Sequence, residues 1–446
     1  MGASSPESWL ERARARLRAR PLFSKILSNI AWLSADRVLR LAIGLLVGVW
    51  LARYLGPETF GQYSFAFALV ALFGVFSKLG LDGILVREVV RSPDTQQALL
   101  ASAFVLRLAG GAAAAAAAVL CVSLVRPADA TVQLLVVVVS AGLVFQALDV
   151  FDLWFQSQLR NRYAVLAKTS VFLLMAAVKV GLILHGADVR AFAAVAVLEI
   201  LFGGIALAAT YRLSGQTFER WRAAPGTMKR LLGPALPLIL AGAAVSIYMK
   251  IDQVMIARML GDRAVGLYSA ATRLTEATYF VPGTLIASVL PAIVAIRASN
   301  EPLFRDRMQR LFDLMAAGAV ALALPLSLFS VFIVRLLYGE PYSASAAVLA
   351  IHAWASVFVF LGIASSTYLL AENLTLISFY RTALGAIVNI GLNLVLIPRY
   401  GIQGAAWATL ISALVATYAV LLDARTRFAG LMMLRALNPA RAFGAR

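Results

Sequence analysis

Residues 51–66 read LARYLGPETFGQYSFA, and residues 256–271 read IARMLGDRAVGLYSAA. A shift of 205 positions aligns Ala52 with Ala257, Arg53 with Arg258, Leu55 with Leu260 and Gly56 with Gly261. The same shift aligns Gly61 with Gly266, Tyr63 with Tyr268, Ser64 with Ser269 and Ala66 with Ala271. Apolar residues match by chance in a chain rich in them; the shared Arg, Gly and Tyr positions make chance a poor account. The chain therefore reads as a duplication. Each copy joins two long apolar runs, and its glycines suit a tight turn. Both copies cross in the same direction, so the repeat is parallel, with its axis along a membrane normal.

The runs on either side of these turns are too apolar for a water-soluble core. The 446 residues are 61% hydrophobic and 14% charged, against about 45–50% and about 25% in soluble domains. A helix needs about 20 apolar residues to cross about 30 Å of hydrocarbon. Twelve stretches qualify: 34–54, 63–81, 100–124, 132–153, 164–184, 190–211, 233–257, 267–290, 311–335, 345–370, 375–397 and 402–423. The fold class expected is all-α integral membrane, with about twelve transmembrane helices in two six-helix bundles. The bundles are residues 31–211 and 231–424, joined by a basic linker over 212–230. A basic segment over 1–30 and a basic tail over 425–446 flank them.

The net charge of +18 raises the question of nucleic acid, but the basic residues lie between apolar runs rather than in a patch. With the N-terminus placed in the cytoplasm, 25 Lys and Arg fall on that side and 7 on the other. By the positive-inside rule both termini are then cytoplasmic, and the turns at 55–62 and 260–266 face outward. Cys121 stands alone, so there is no internal disulfide. His185 and His352 are distant from one another, and no HExxH, CxxC, GxxxxGK[ST] or GxSxG occurs. No cofactor and no metal site is expected. The start lacks the short apolar core and small-residue cleavage site of a signal peptide.

The stretches LARYLGPETFGQYSFAFALVALF and LGLDGILVRE in the first half carry a family resemblance. So do LPLILAGAAVSIYMKIDQVMIARMLGDRAVGLYSAATRL and NIGLNLVLIPRYGIQGAAWATLIS in the second. The chain resembles the Wzx-type polysaccharide flippases (O-antigen and exopolysaccharide translocases) of the multidrug/oligosaccharidyl-lipid/polysaccharide exporter superfamily. The resemblance covers nearly the whole chain. It implies a two-bundle exporter that flips an undecaprenyl-diphosphate-linked sugar repeat across a bacterial inner membrane by alternating access. It implies no hydrolase or transferase activity. Membrane lipids and other polysaccharide-assembly proteins are the partners it implies. Twelve spans, with no extra pair, set the chain apart from fourteen-span lipid II flippases. Three other readings compete: a multidrug and toxin extrusion exporter of small cations, a membrane polymerase or ligase, and a structural or scaffold protein, for which the duplication gives no reason. The second would be expected to carry a large outer polar loop, and none is present in the span assignment.

Eight basic residues lie within or beside the spans: Arg37, Arg40, Lys78, Arg107, Lys179, Lys250, Arg273 and Arg381. Charge at bilayer depth costs about 2.5–3.5 kcal/mol on insertion scales, so such groups face a cavity or a partner. Two-fold symmetry makes spans 1, 2, 7 and 8 the walls of a central cavity. The guanidinium fork matches a diphosphate better than an ammonium does. The substrate-binding candidates are accordingly Arg37, Arg40 and Arg273, then Lys250 and Lys78, with Arg37 or Arg40 expected to share one cavity with Arg273. Arg273 and Glu276, three apart, are also compatible with an internal ion pair, and Arg37 and Arg40 with snorkelling to the interface. The buried acids Asp149, Glu199, Asp252 and Glu276 are candidates for coupling to H⁺ or Na⁺. His352 reads as a packing residue. Pro234, Pro237, Pro282 and Pro325 are expected to kink their helices.

Overall fold

The computed structural model describes residues 21–219, 221–297, 300–372 and 374–438. Most of the expected basic N-terminal segment, Arg220, and Arg441 and Arg446 of the tail therefore lie outside the described residues. No strand occurs among the described residues.

Nine segments of the described chain are long and apolar enough to cross a membrane. Two are double passes. Pro21–Lys78 breaks at Gly56, with φ 71° and ψ 166°, into spans 1 and 2. Thr375–Tyr418 breaks at Gly401, with φ 61°, into spans 11 and 12. Positive φ favours glycine, so these two positions turn where other residues would strain. Span 3 is Gln96–Val125. Span 4 begins as Ala130–Phe145, passes a 3-10 turn at Gln146–Asp149 and continues as Val150–Ser157. Span 5 is Asn161–Leu184, span 6 is Val189–Leu213, and span 7 is Leu236–Leu260. Span 9 is Glu301–Leu328 and span 10 is Ser345–Ala371. The twelfth pass, span 8, runs as Asp262–Glu276 and, after a 3-10 turn at Ala277–Tyr279, as Phe280–Arg297. Two-bundle architecture with twelve helices is thus what the sequence led us to expect. Pro234 lies in a 3-10 turn at Gly233–Ala235 and Pro237 in the first turn of span 7, so neither interrupts the middle of a helix.

Packing shows how the halves meet. One apolar core runs across both halves at the end carrying Gly56 and Gly261; it holds Phe60, Tyr63 and Phe65 with Val265, Tyr268 and Tyr342. At the opposite end there are two cores. One, with Leu85, Trp154 and Tyr211, belongs to the first half and takes in Leu231 and Ala235 ahead of span 7. The other, with Phe312, Phe360 and Met433, belongs to the second half. Phe218 and Trp221 of the linker pack on Phe151 and Tyr211, which anchors the linker to the first half. The tail helix Arg427–Ala436 buries Met432 and Met433 and takes a hydrogen bond from Gln309 to the Met432 carbonyl at 3.1 Å.

Candidate functional site: a cavity between the halves

The shared core begins at a reciprocal contact. A Cβ on Gly61 would stand 1.8 Å from the Asp262 carbonyl oxygen, and a Cβ on Gly266 would stand 1.9 Å from that of Pro57. The 205-residue shift maps Gly61 onto Gly266 and Pro57 onto Asp262. Each half thus presents the same patch to the other, which is what a two-fold axis between them requires. Glycine at both positions lets the two backbones approach closely.

The glycine turns also leave unpaired carbonyls at the ends of spans 1 and 7, as every helix C-terminus does. Each half caps the other's. Tyr342 Oη donates to the Ala52 carbonyl at 2.6 Å. Arg126 Nη2 donates to the Ala257 carbonyl at 3.0 Å. Ala52 and Ala257 are equivalent in the repeat, but their donors are not. Arg126 adds an ion pair to Asp262 at 2.6 Å and lies over the Phe65 ring. This end of the molecule is closed.

Just inside the closure is a cavity of about 290 Å³ lined by Tyr63, Ser64 and Phe67 from span 2 and by Lys250, Arg273 and Glu276 from spans 7 and 8. Its charges all come from the second half. Lys250 Nζ pairs with Glu276 at 2.9 Å, so Glu276 is not the partner of Arg273, and Lys250 reaches span 8 rather than Asp252. Arg273 has no ion pair among the described residues. Its guanidinium lies over the Phe60 ring at 5.4 Å and against Gly48, where a Cβ would come within 2.6 Å of Nη1. Gly48 thus leaves the room that the Arg273 head occupies.

The other candidates are placed elsewhere. Arg40 is separated from Arg273: it pairs with Asp36 of its own helix at 2.7 Å, and on span 5 it donates to Thr169 Oγ1 at 3.2 Å and covers Phe172. Arg37 and Lys78 are exposed. Glu199 pairs with Lys179 at 2.7 Å inside the first half. Asp149 lies 3.9 Å from Lys168, which also reaches Asp152 at 3.3 Å. Arg107 is 1% exposed and pairs with Asp82.

Asp252 has a different setting. It is buried inside the second half and accepts from Tyr268 Oη at 2.7 Å, Asn393 Nδ2 at 2.6 Å and Thr409 Oγ1 at 2.5 Å. No cation meets it among the described residues. Asn389 Oδ1 accepts from Asn393 at 3.1 Å, and Asn393 Oδ1 is buried without a hydrogen bond. A carboxylate from span 7, hydroxyls from spans 8 and 12 and an amide from span 11 therefore meet in one buried cluster. His352 packs beside it, with Nδ1 2.7 Å from Thr275 Oγ1, in keeping with a satisfied packing role.

Sequence reading did not single out Gly48, Arg126, Asn389, Asn393 or Thr409. The stretch NIGLN did hold a signal, because asparagines four apart in an apolar run share one helix face. Arg126 gave none: its loop position resembled that of any other outer arginine.

A family model described as polysaccharide biosynthesis protein matches residues 26–297, more than half of the chain. A second, MatE, matches residues 237–395. No curated protein sequence matches. Among solved structures, the lipid II flippase MurJ in an inward closed conformation is similar, with TM-score 0.70 and 15% identity over 91% of this chain and 90% of that one. An inward-facing multidrug resistance MATE family transporter of the MOP superfamily gives TM-score 0.71 at 17% identity over 90% and 98%. An outward-facing conformation of a MATE family transporter gives 0.62 at 16% identity over 90% and 96%.

Proposed function

The chain belongs to the polysaccharide biosynthesis protein family, and we propose that it is a flippase. Its substrate is an oligosaccharide linked through a diphosphate to a long lipid, carried from the cytoplasmic to the outer leaflet of a bacterial inner membrane. The observation that carries this reading is Arg273: a guanidinium with no ion pair among the described residues, held between two halves that are closed at one end. Lys250 and Glu276 neutralise one another, so the cavity retains one positive charge. That charge attracts a diphosphate and repels the small cations a multidrug exporter takes. Arginine stays charged at any physiological pH, so release depends on movement of the halves and not on loss of its proton. Asp252, with its oxygens and amides, is the group best placed to couple that movement to Na⁺ or H⁺, and Glu276 is next.

The halves close through Gly61 and Gly266 on the outer side in the described conformation. Rocking about the seam would open that side and close the other. Both termini lie in the cytoplasm in this reading, as the basic residues indicate.

The test is polysaccharide export in a complemented deletion strain, with membrane abundance measured for each variant. Arg273→Lys keeps the charge but loses the bidentate fork, and is expected to retain part of the export. Arg273→Ala is expected to lose about tenfold or more, since charge-assisted hydrogen bonds contribute about 1.5–3 kcal/mol each. Full export by an abundant Arg273→Ala protein would end the reading. Drug resistance conferred by the wild type, without rescue of export, would instead favour the multidrug alternative, which the MatE match over residues 237–395 keeps in view.

A further inference from the structure

A groove of about 390 Å³ runs between the Phe280–Arg297 half of span 8 and the start of span 9. Its lining is apolar at Val289, Ile293, Leu311 and Leu314 and cationic at Arg307 and Arg310. It lies outside the cavity described above. Val289 is thirteen residues beyond Glu276, about 20 Å along a helix at 1.5 Å per residue.

The charges around this end are unevenly satisfied. Arg297 pairs with Glu372 at 2.6 Å. Arg305 pairs with Glu301 and lies over Phe428. Arg310 pairs with Asp306 at 3.0 Å, with both side chains about half exposed or more. Arg307 makes no ion pair among the described residues, although it is the arginine next to Arg310 on the groove wall. Residues three apart on a helix are neighbours, so the two arginines share one wall of an apolar trough. The one acid among the described residues that meets either of them, Asp306, pairs with Arg310 alone.

We propose that this groove is a loading station for the lipid carrier of the substrate, holding the first isoprene units of its tail. Arg307 and Arg310 take the diphosphate. The proposal rests on the flippase reading and adds a second site to it. Charge complementarity selects the occupant. A diphosphate brings two phosphate groups to two adjacent guanidiniums, whereas a phospholipid such as phosphatidylglycerol brings one. A lining part apolar and part cationic fits an amphiphile and not a free anion. The basic-residue count assigns this end to the cytoplasmic side, where the loaded carrier would arrive. Span 8 then borders both stations, the groove with Arg307 and Arg310 of span 9 at one end and Arg273 within the cavity at the other.

Farnesyl diphosphate is a short probe of the same chemistry. Its binding is measured on the full chain in nanodiscs of neutral phosphatidylcholine, with inorganic diphosphate and phosphatidylglycerol as separate arms. The wild type is expected to bind farnesyl diphosphate, and Arg307→Gln/Arg310→Gln to weaken that binding at least tenfold. Inorganic diphosphate should bind far more weakly, and phosphatidylglycerol should not displace the probe at equal concentration. Leu314→Glu, which places a carboxylate in the trough, should weaken binding with both arginines intact. Unchanged affinity in the double variant and in Leu314→Glu would overturn the proposal, as would displacement by phosphatidylglycerol. Binding lost only in Arg273→Gln would overturn the groove but leave the flippase reading standing. Absence of binding to the wild type, together with export unaffected by Arg273→Ala, would remove both.

Discussion

The two halves descend from one repeat, yet they differ in how their most deeply buried charges are satisfied. In the first half three basic residues at membrane level meet an opposite charge: Arg40 with Asp36, Arg107 with Asp82, Lys179 with Glu199. In the second half the two deepest are satisfied by neutral groups. Asp252 is held by Tyr268, Asn393 and Thr409. Arg381 is held by Ser365, Ser366 and the Gly362 carbonyl. The repeat makes the divergence explicit, because the shift of 205 places Val47 opposite Asp252 and Ala68 opposite Arg273. A paired charge stabilises a packed bundle; a charge held by neutral dipoles keeps its field and remains responsive to an ion or a substrate. The second half thus holds two deeply buried charges with no counter-charge among the described residues, whereas the one fully buried charge of the first half, Arg107, is paired.

The largest expected effect tests what the halves still share. Gly61→Leu and Gly266→Leu each push a side chain into a backbone carbonyl of the other half. Overpacking costs about 1–3 kcal/mol or more, and here backbone rather than a side chain must yield. Each is expected to abolish export at normal abundance, and to about the same extent. A cysteine pair across the seam, one near 59 and one near 264, should lose its cross-linking in both variants. Strong loss in one and none in the other would show that the reciprocal contact does not matter equally to both halves.

Next comes the difference itself. Asp252→Asn removes the charge, keeps the shape and should cut export about tenfold or more while leaving thermal stability unchanged or raised, since an uncompensated buried charge is costly. Glu199→Gln should do the reverse. It leaves Lys179 without its partner in a half-buried site, a loss of about 1–3 kcal/mol, read as a lower melting temperature with export largely kept. Export by Asp252→Asn equal to the wild type would erase the contrast between the halves.

The smallest effect concerns the caps across the seam. Tyr342→Phe removes one neutral hydrogen bond, about 1 kcal/mol, and should shift the balance of conformations by about fivefold. Arg126→Gln removes a charged donor and leaves Asp262 buried without it, so its shift should be greater. Both are measured by the distance between spin labels on the turns at Gly56 and Gly261. A greater shift for Tyr342→Phe would reverse the ranking.

Much of this was legible in the chain alone. The apolar runs fix helices because backbone groups in hydrocarbon must bond within their own segment. The LARYLG and IARMLG copies fix duplication and a parallel relation between halves. The same text marked Asp252, Lys250, Arg273 and Glu276 as costly to bury. It could not say who meets whom. Lys250 chooses Glu276 from span 8, 26 positions away, and Asp252 collects donors from spans 8, 11 and 12. Arg37 and Arg40 looked equivalent to Arg273 by depth, but a helix face is assigned by the neighbours that pack on it. Span 5 claims Arg40.

What the sequence determined by itself is local or periodic: helix length, turn glycines, the repeat and the cost of each buried charge. Tertiary structure alone decided the pairings, because a charge in a membrane is governed by the few groups within about 4 Å of it. Those groups come from helices distant in the chain. Gly48 shows the point most simply. In the sequence it is one glycine in an apolar run; in the fold it is the space into which the Arg273 guanidinium fits.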